Sequence, residues 1–382
     1  MATLKDVAGK ARVSIGTVSN VINGSVPVSA ARRTRVLDAI RKLGYRPDHV
    51  ARSLRTRRTH MLGMVVSDIT NPYFSHVVRG AEDAALKHNY LPLVFNTDDR
   101  LEREKQVLAV LSSRRVDGVL LVVAPSRKPP QHIEEVLKSG VPVVCLDRVP
   151  PGLDVDSVSV DNVAAARECV RHLLSRGHRE IGIITGSMGL QTARQRLQGY
   201  KSALREAGIR IKPERIRTGD FREQSGYRLG LEMLASKNRP TALFVSNSMM
   251  AIGVLKAAEH LGLACPREIA IATFDDLPLM EAFHPHLTAV VQPAYSIGYA
   301  AAELLIQRLE AEEVGKPSVS IKLPTRLAIR ESTSMRPALP LVRTQEAGDA
   351  VDRRTEKHSD GEAQATAPSK GEIHTDQINM NA

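Results

Sequence analysis

Six apolar runs of strand length lie between residues 61 and 276: MLGMVVSDI, GVLLVVA, VPVVCLD, EIGIITG, TALFVSN and EIAIATFDD. A strand wetted on one face alternates apolar with polar residues, so runs that are apolar at nearly every position belong to parallel sheets buried on both faces. The stretches between the runs have the amphipathic spacing of covering helices. One tight sheet does not accommodate all the runs, and two similar lobes fit better. The class is therefore α/β. In such sheets ligands bind beyond the carboxyl ends of strands. That directs attention to Ser67 and Asp68, Asp147, Gly186, Ser246 and Asn247, and Asp275 and Asp276.

The first 60 residues have a different texture. They hold 13 Lys and Arg against only Asp6, Asp38 and Asp48, a net +10 out of the chain's formal +11. Charge concentrated in this way implies a polyanion partner. The pattern is that of short helices. Thr3 and Asp6 have the spacing of a capping box, and Leu4, Val7, Ala8 and Ala11 fall on one face. Ser14 is placed to cap a second helix that carries Val18, Val21 and Ile22 inward. Ser29 is placed to cap a third, with Val36, Leu37, Ile40 and Leu43 as its apolar positions and Gly44 as its C-cap. Two short helices joined by a tight turn and braced by a third predict an all-α helix-turn-helix headpiece. Pro47 ends the unit, and HVARSLRTRRT follows as a basic stretch too short to be a stable helix alone.

Other function classes find little support. Cys145, Cys169 and Cys265 are too far apart for a zinc or redox motif, so no metal and no cofactor are expected. The chain has no Gly-x-Gly-x-x-Gly after its first apolar run, no phosphate loop and no nucleophile elbow, which argues against an enzyme. His178 has no nucleophile or metal set to serve, and it is read as a cap where a strand begins. The first residues lack the uninterrupted apolar stretch of a secretory signal, and no run approaches the length of a membrane span; a cytoplasmic protein is expected. From about residue 336 the sequence turns polar and aperiodic and reads as a disordered tail.

The ordered set TLKDVAGKARVSIGTVSNVIN, VSAARRTRVLDAIRKLGYRP and HVARSLRT resembles the headpiece and hinge of the LacI/GalR family of repressors. DITNPYF, RRVDGVLLV, Asp147 with Arg148, GHREIGIITG, RQRLQGY, GDFREQSGY and FDD continue the likeness through residue 335, with a spacing like that of the purine-repressor branch. The resemblance implies a headpiece over 2–47, a hinge helix and linker over 48–60, a two-lobed periplasmic-binding-protein-like core over 61–335 and a tail over 336–382. It implies a DNA-binding transcription regulator, a repressor, whose hold on its operator is controlled by a small-molecule effector bound between the lobes.

Residue by residue, the resemblance makes Ile15, Gly16 and Asn20 the major-groove readers and assigns Thr17, Ser19 and Asn23 to phosphates. It makes Leu54 a wedge that enters the minor groove, flanked by Arg52 and Arg55. The effector set is Asp68, Tyr73, Phe74, Asp147, Arg196, Phe221, Asn247 and Asp275. Carboxylates, an amide and a guanidinium near aromatic rings suit a polar, hydroxyl-bearing ligand. Arg194 rivals Arg196 in sequence, and Asp68 and Asp147 have a competing role as helix caps. Leu190 replaces the base-binding arginine of the purine branch, and Ser248 stands where many members carry an aspartate. A sugar or sugar derivative is thereby favoured over a purine. The partners implied are a double-stranded operator that is an approximate palindrome and a second copy of the chain in a homodimer, with no membrane.

Overall fold

The strand-length apolar runs do form two parallel sheets, and the residues after each run line up along the facing ends of those sheets. The computed structural model describes residues 2–23, 26–45, 58–113, 116–277, 284–311 and 317–334. Arg52, Leu54 and Arg55, the rest of the expected hinge through residue 57, and the expected tail lie outside the described residues, as does the Asn23 side chain.

Three helices come first: α1 (Leu4–Ala11), α2 (Ile15–Asn23) and α3 (Ala30–Leu43). The capping box is present, with Asp6 N donating to Thr3 Oγ1 and Thr3 N donating to the Asp6 carboxylate. Ser14 Oγ accepts from Thr17 N at 3.1 Å and so starts α2. Gly44 closes α3 in the left-handed conformation (φ 58°). Val7, Ala8, Ala11, Val18, Val36 and Ala39 make the small core. Two expectations fail. Ser29 sits at the N-cap of α3 but its hydroxyl accepts no capping bond. Leu37 is 43% exposed, because the buried stripe runs through Val36, Ala39 and Ile40 and position 37 lies a quarter turn outside it.

The first lobe is built from β1 (Met61–Val66), α4 (Pro72–Lys87), β2 (Leu91–Asn96), α5 (Leu101–Ser113), β3 (Gly118–Leu121), α6 (Gln131–Lys138), β4 (Val143–Leu146) and β5 (Asp156–Val160). The second follows with α7 (Asn162–Ser175), β6 (Ile181–Thr185), α8 (Gln191–Glu206), β7 (Ile216–Thr218), α9 (Glu223–Leu234), β8 (Ala242–Val245), α10 (Ser248–His260), β9 (Ala270–Phe274) and β10 (Thr288–Val291). The chain then returns to the first lobe through α11 (Ala294–Glu310) and β11 (Ser320–Leu323), and ends in the second with β12 (Arg326–Ala328). The sheets run β11-β5-β4-β3-β1-β2 and β12-β10-β9-β8-β6-β7, every pair parallel except β10 with β12. In each sheet the winding direction reverses beside the first strand of the lobe, between β1 and β3 and between β6 and β8. Reversal opens a crevice at the carboxyl ends.

Helix α11 packs on α4 with almost no space between backbones. A Cβ on Gly298 would lie 1.9 Å from Val77 O, and one on Gly80 would lie 2.0 Å from Tyr295 O, so only glycine permits the approach. His178, buried where β6 begins, pairs through Nδ1 with Thr241 Oγ1 at 3.0 Å and so ties the starts of β6 and β8 together. Burial, with His172 and Arg176 nearby, pulls its pKa down to about 4. No described helix is long and apolar enough to cross a membrane.

Candidate functional site

All eight residues of the expected effector set line one cleft between the carboxyl ends of the two sheets, which holds about 470 Å³ of atom-free space including its mouth. From the first lobe, the turn after β1 gives Asp68, the start of α4 gives Tyr73 and Phe74, and the end of β4 gives Asp147. From the second, α8 gives Arg196, the segment after β7 gives Phe221, β8 leads to Asn247 and β9 to Asp275. The arrangement is local in origin: each strand ends its apolar run at the crevice, where the backbone must turn into a helix and polar side chains begin.

Capping claims some of these side chains. Asn247 Oδ1 accepts from Met250 N at 3.0 Å and starts α10, while its Nδ2 donates to Phe221 O at 2.8 Å. Asn71, not Asp68, caps α4, by accepting from Tyr73 N at 3.1 Å. Asp68 Oδ1 accepts from Thr70 N at 3.0 Å and from Thr70 Oγ1 at 2.5 Å, so it braces its own turn at the rim. Asp147 caps no helix. It accepts from Tyr73 Oη at 3.1 Å, and its Oδ2 is 3.6 Å from Arg148 Nε.

Arg196 is 4% exposed and held on three sides. Its Nε donates to Asn162 Oδ1 at 2.8 Å, its Nη1 donates to Ser246 O at 2.7 Å, and its guanidinium lies 3.7 Å from the centre of the Phe274 ring. Its Nη2 makes no hydrogen bond among the described residues. Arg194, the rival in sequence, is exposed, bonds Met188 O and does not line the cleft, whereas Arg196 does. Asp275 is buried and accepts from Gln292 Nε2. Burial pushes its carboxyl up to about 6; Arg196 and the Gln292 hydrogen bond oppose that rise, and the Asp147 carboxylate adds to it. The same two carboxylates, with burial the larger cause, push the Tyr73 phenol well above its ordinary value. Asp147 and Asp275 therefore repel each other across the cleft, and a hydroxyl donated to either relieves the repulsion.

Asp147, Phe221 and Asp275 all have positive φ, at 62°, 68° and 70°. For an aromatic residue this conformation is a true outlier, and such strain persists only where the surroundings enforce it. Gly186, at the end of β6, makes room for the Phe221 ring: a Cβ there would lie 2.3 Å from Phe221 Cζ.

Several cleft residues escaped sequence reasoning. Arg148 belongs to a pair in which only Asp147 was singled out, yet it is buried and donates to Asp99 Oδ1 at 2.5 Å and to Val123 O at 3.2 Å. Asp99, Thr192, Asp220, Arg222 and Gln292 also line the space. Leu190 is buried at the N-cap of α8 and is not part of the lining.

On the headpiece, α2 turns Val18 fully inward and leaves Ile15 51% exposed beside exposed Gly16. Ser19 and Asn20 are half-buried and continue that face one turn on. The Thr17 hydroxyl is 2.9 Å from Ser14 Oγ, so the cap engages it. Lys5, Lys10, Arg12, Arg32, Arg33 and Arg35 are all exposed. Ile15 is an uncommon use of a large apolar side chain: it is not needed in the core and is presented to solvent on the same face as a hydrogen-bonding amide.

Residues 3–48 match the family described as bacterial regulatory proteins, lacI family, and residues 170–333 match a periplasmic binding protein-like domain. The catabolite control protein A of Priestia megaterium is 35% identical over 332 residues, covering 87% of this chain and 99% of that one. Among solved structures, the lac repressor dimer bound to operator and the anti-inducer ONPF superposes with a TM-score of 0.77 at 28% identity, covering 87% of this chain and 99% of that one. The cellobiose complex of the transcriptional regulator CelR superposes with a TM-score of 0.66 at 31% identity, covering 87% of this chain and 100% of the other.

Proposed function

The chain belongs to the LacI family of bacterial regulatory proteins, and on that premise we propose that it is a sequence-specific repressor whose operator affinity is set by a sugar or sugar derivative bound in the cleft. The observation that carries the ligand class is the pairing of Asp147 and Asp275 across the space, each from a different lobe, with Asn247 also in the lining and Arg196 between the Phe221 and Phe274 rings. A molecule with several hydroxyls donates to both carboxylates at once, accepts from the guanidinium and stacks an apolar ring face on Phe74 or Phe221. Two solved structures of similar fold hold sugars: cellobiose in the complex of the transcriptional regulator CelR, and ribose in a LacI family transcriptional regulator from Enterococcus faecium.

Because the two carboxylates sit on different lobes, a ligand that bridges them prefers one relative arrangement of the lobes. A change in that arrangement changes what the paired hinges can do on DNA, and linkage requires the operator to change ligand affinity by the same factor. In this reading residues 2–47 read DNA, 48–60 form the hinge, 61–335 bind effector and dimerise, and 336–382 are a tail. Ile15, Gly16 and Asn20 face the bases, Thr17, Ser19 and Asn23 face phosphates, and Leu54 with Arg52 and Arg55 enters the minor groove. A homodimer then reads an approximate palindrome of about 16–18 base pairs. We predict that Leu54→Ala weakens specific binding at least about tenfold while the thermal transition of the core stays in place, because an apolar wedge is what unstacks a base step. Unchanged affinity in a gel-shift titration would sink the assignment.

The test of the whole reading is a thermal-shift screen with cellobiose, D-ribose, other mono- and disaccharides, and purine bases, followed by titration of a selected operator duplex with and without the stabilising compound. A saccharide that raises Tm and changes duplex affinity is expected. Stabilisation by purines alone, or a ligand that leaves duplex affinity unaltered, would overturn it.

A further inference from the structure

Residues 58–60 carry the chain from the DNA-binding end into the first lobe, and they are held more firmly than the start of a strand requires. Asp117, immediately before β3, accepts three hydrogen bonds from two consecutive residues: Thr59 N and Thr59 Oγ1 to Oδ1, both at 2.8 Å, and His60 N to Oδ2 at 2.9 Å. Asp117 N in turn donates to Met61 O at 2.9 Å. Three charge-assisted bonds to one carboxylate fix a direction as well as a position. His60 is kept at φ 55°, a strained conformation for a non-glycine residue, with its ring 5.2 Å from that of Tyr90 and its carbonyl accepting from Leu91 N at 2.8 Å.

Arg58 supplies the link to a distant element. Its Nη2 donates to Leu309 O at 2.7 Å, in the last turn of α11, where unpaired carbonyls and the helix dipole favour a cation. Helix α11 has 17 residues, a rod of about 24 Å. Two residues before its start is Gln292, at the crossing from the second lobe, which donates to Asp275 in the cleft. Gln292 Oε1 is buried and has no hydrogen-bond partner among the described residues, so the segment leading into the rod is incompletely satisfied, a state that a ligand or a different lobe arrangement would change. The first turns of the rod are seated on α4 by the Gly80 and Gly298 contacts, and Lys87 Nζ and His88 Nε2 reach the Glu303 carboxylate further along it. The helix, with the Gln292 segment that leads into it, thus joins the effector cleft at one end to the DNA-side chain at the other.

We propose that Asp117, together with Arg58, is a positioning residue for allosteric coupling: α11 registers the lobe arrangement at Gln292, and the clasp made by Arg58 on Leu309 and by Asp117 on Thr59 and His60 passes it to the segment that leads to the DNA-binding helices. The inference rests on the reading that cleft and headpiece are coupled, and it adds the element and the residues that carry the coupling. A clasp that served only to start β1 would leave a perturbation at Gln292 with the same effect whether or not Asp117 is intact.

That difference is measurable without knowing the effector. The probe is a duplex of about 20 base pairs selected by the full chain from a randomised pool, and the readout is its Kd for the parent, Gln292→Leu, Asp117→Asn and the double variant. Asparagine keeps the shape of residue 117 but cannot accept from both Thr59 and His60 with its amide turned to either one. Gln292→Leu is expected to change Kd at least about fivefold in the parent and less than about twofold in the Asp117→Asn background. Arg58→Ala, which removes the hydrogen bond to Leu309 O and leaves Asp117 intact, guards against misfolding of Asp117→Asn and is expected to give the same loss of response. Equal fold-changes in both backgrounds, or no effect of Gln292→Leu in the parent, overturn the proposal. Failure to select any duplex overturns the DNA-binding reading itself, and the proposal falls with it.

Discussion

Asp275, in the proposed effector site, shows how a buried carboxyl is costly to its own fold. Its carboxyl, pushed up to about 6 by burial, binds a proton more tightly in the folded chain than in the unfolded one, where the ordinary value is 3.8. The stability this contributes is therefore fully present below about pH 4 and is lost as pH rises through about 6. At pH 7.5 the folded, ligand-free protein holds an unfavourable buried charge. We predict that Asp275→Asn, which can still accept from Gln292, raises Tm at pH 7.5 by the equivalent of about 1–3 kcal/mol and that the gain disappears near pH 4. Thermal unfolding of parent and variant across that range checks it, and a variant no more stable than the parent at pH 7.5 refutes it. Ligand hydroxyls act in the opposite sense: by donating to the carboxylate they favour the charged form, so saccharide affinity should rise with pH through about 6. At this scale the sequence was informative wherever a side chain follows an apolar run, as Asp147, Asn247 and Asp275 do. Gln292, Asp99 and Arg148 were missed because their place in the cleft depends on where the chain crosses and turns, and no periodicity marks that. Arg196 and Arg194 could be separated only by seeing which side of α8 faces the Phe274 ring.

Among the elements, the two sheets were legible because burial on both faces leaves an unmistakable mark on β1, β3, β4, β6, β8 and β9. Less apolar strands were not: β5 reads DSVSV, β7 is three residues long, and β11 and β12 lie at sheet edges where one face is wet. The interlobe route through α11 was also invisible, since an amphipathic helix does not say which lobe it covers. Its glycines did carry a signal, Gly298 in α11 and Gly80 in α4, though only the packed pair explains it. A methyl group at 298 would meet the Val77 carbonyl at 1.9 Å, and backbone cannot rotate aside as a side chain does. We predict that Gly298→Ala destabilises the core by about 2 kcal/mol or more, despite the better helix propensity of alanine. Gly9→Ala, where a Cβ meets nothing within 4 Å, is the control and should be neutral or mildly stabilising in α1. Urea unfolding followed by circular dichroism separates the two, and equal midpoints for parent and Gly298→Ala would remove the close-packing argument.

At the scale of the whole molecule, the sequence places a +10 segment on a chain whose remaining 322 residues are almost neutral, with 40 basic and 39 acidic side chains. A dimer brings two such segments to one duplex. Each phosphate that a lysine or arginine neutralises releases a counterion, so affinity depends on salt through the number of such contacts, whereas apolar contacts with base edges do not. The two contributions can therefore be separated in one experiment. With about six to ten phosphates neutralised, operator affinity should fall by roughly 10³–10⁵ between 50 and 200 mM salt. Ile15 is half exposed on α2 and bears no charge. Ile15→Ala should then raise Kd by about tenfold at every salt concentration and leave the slope of log Kd against log salt unaltered, the mark of a base contact. Arg33→Gln, on exposed α3, should reduce the slope by about one if its guanidinium meets a phosphate and leave it unchanged otherwise. A shallow slope for the parent would mean that the concentrated charge does not meet the DNA backbone. A slope that changes with Ile15→Ala would mean that α2 positions the headpiece rather than reads the sequence.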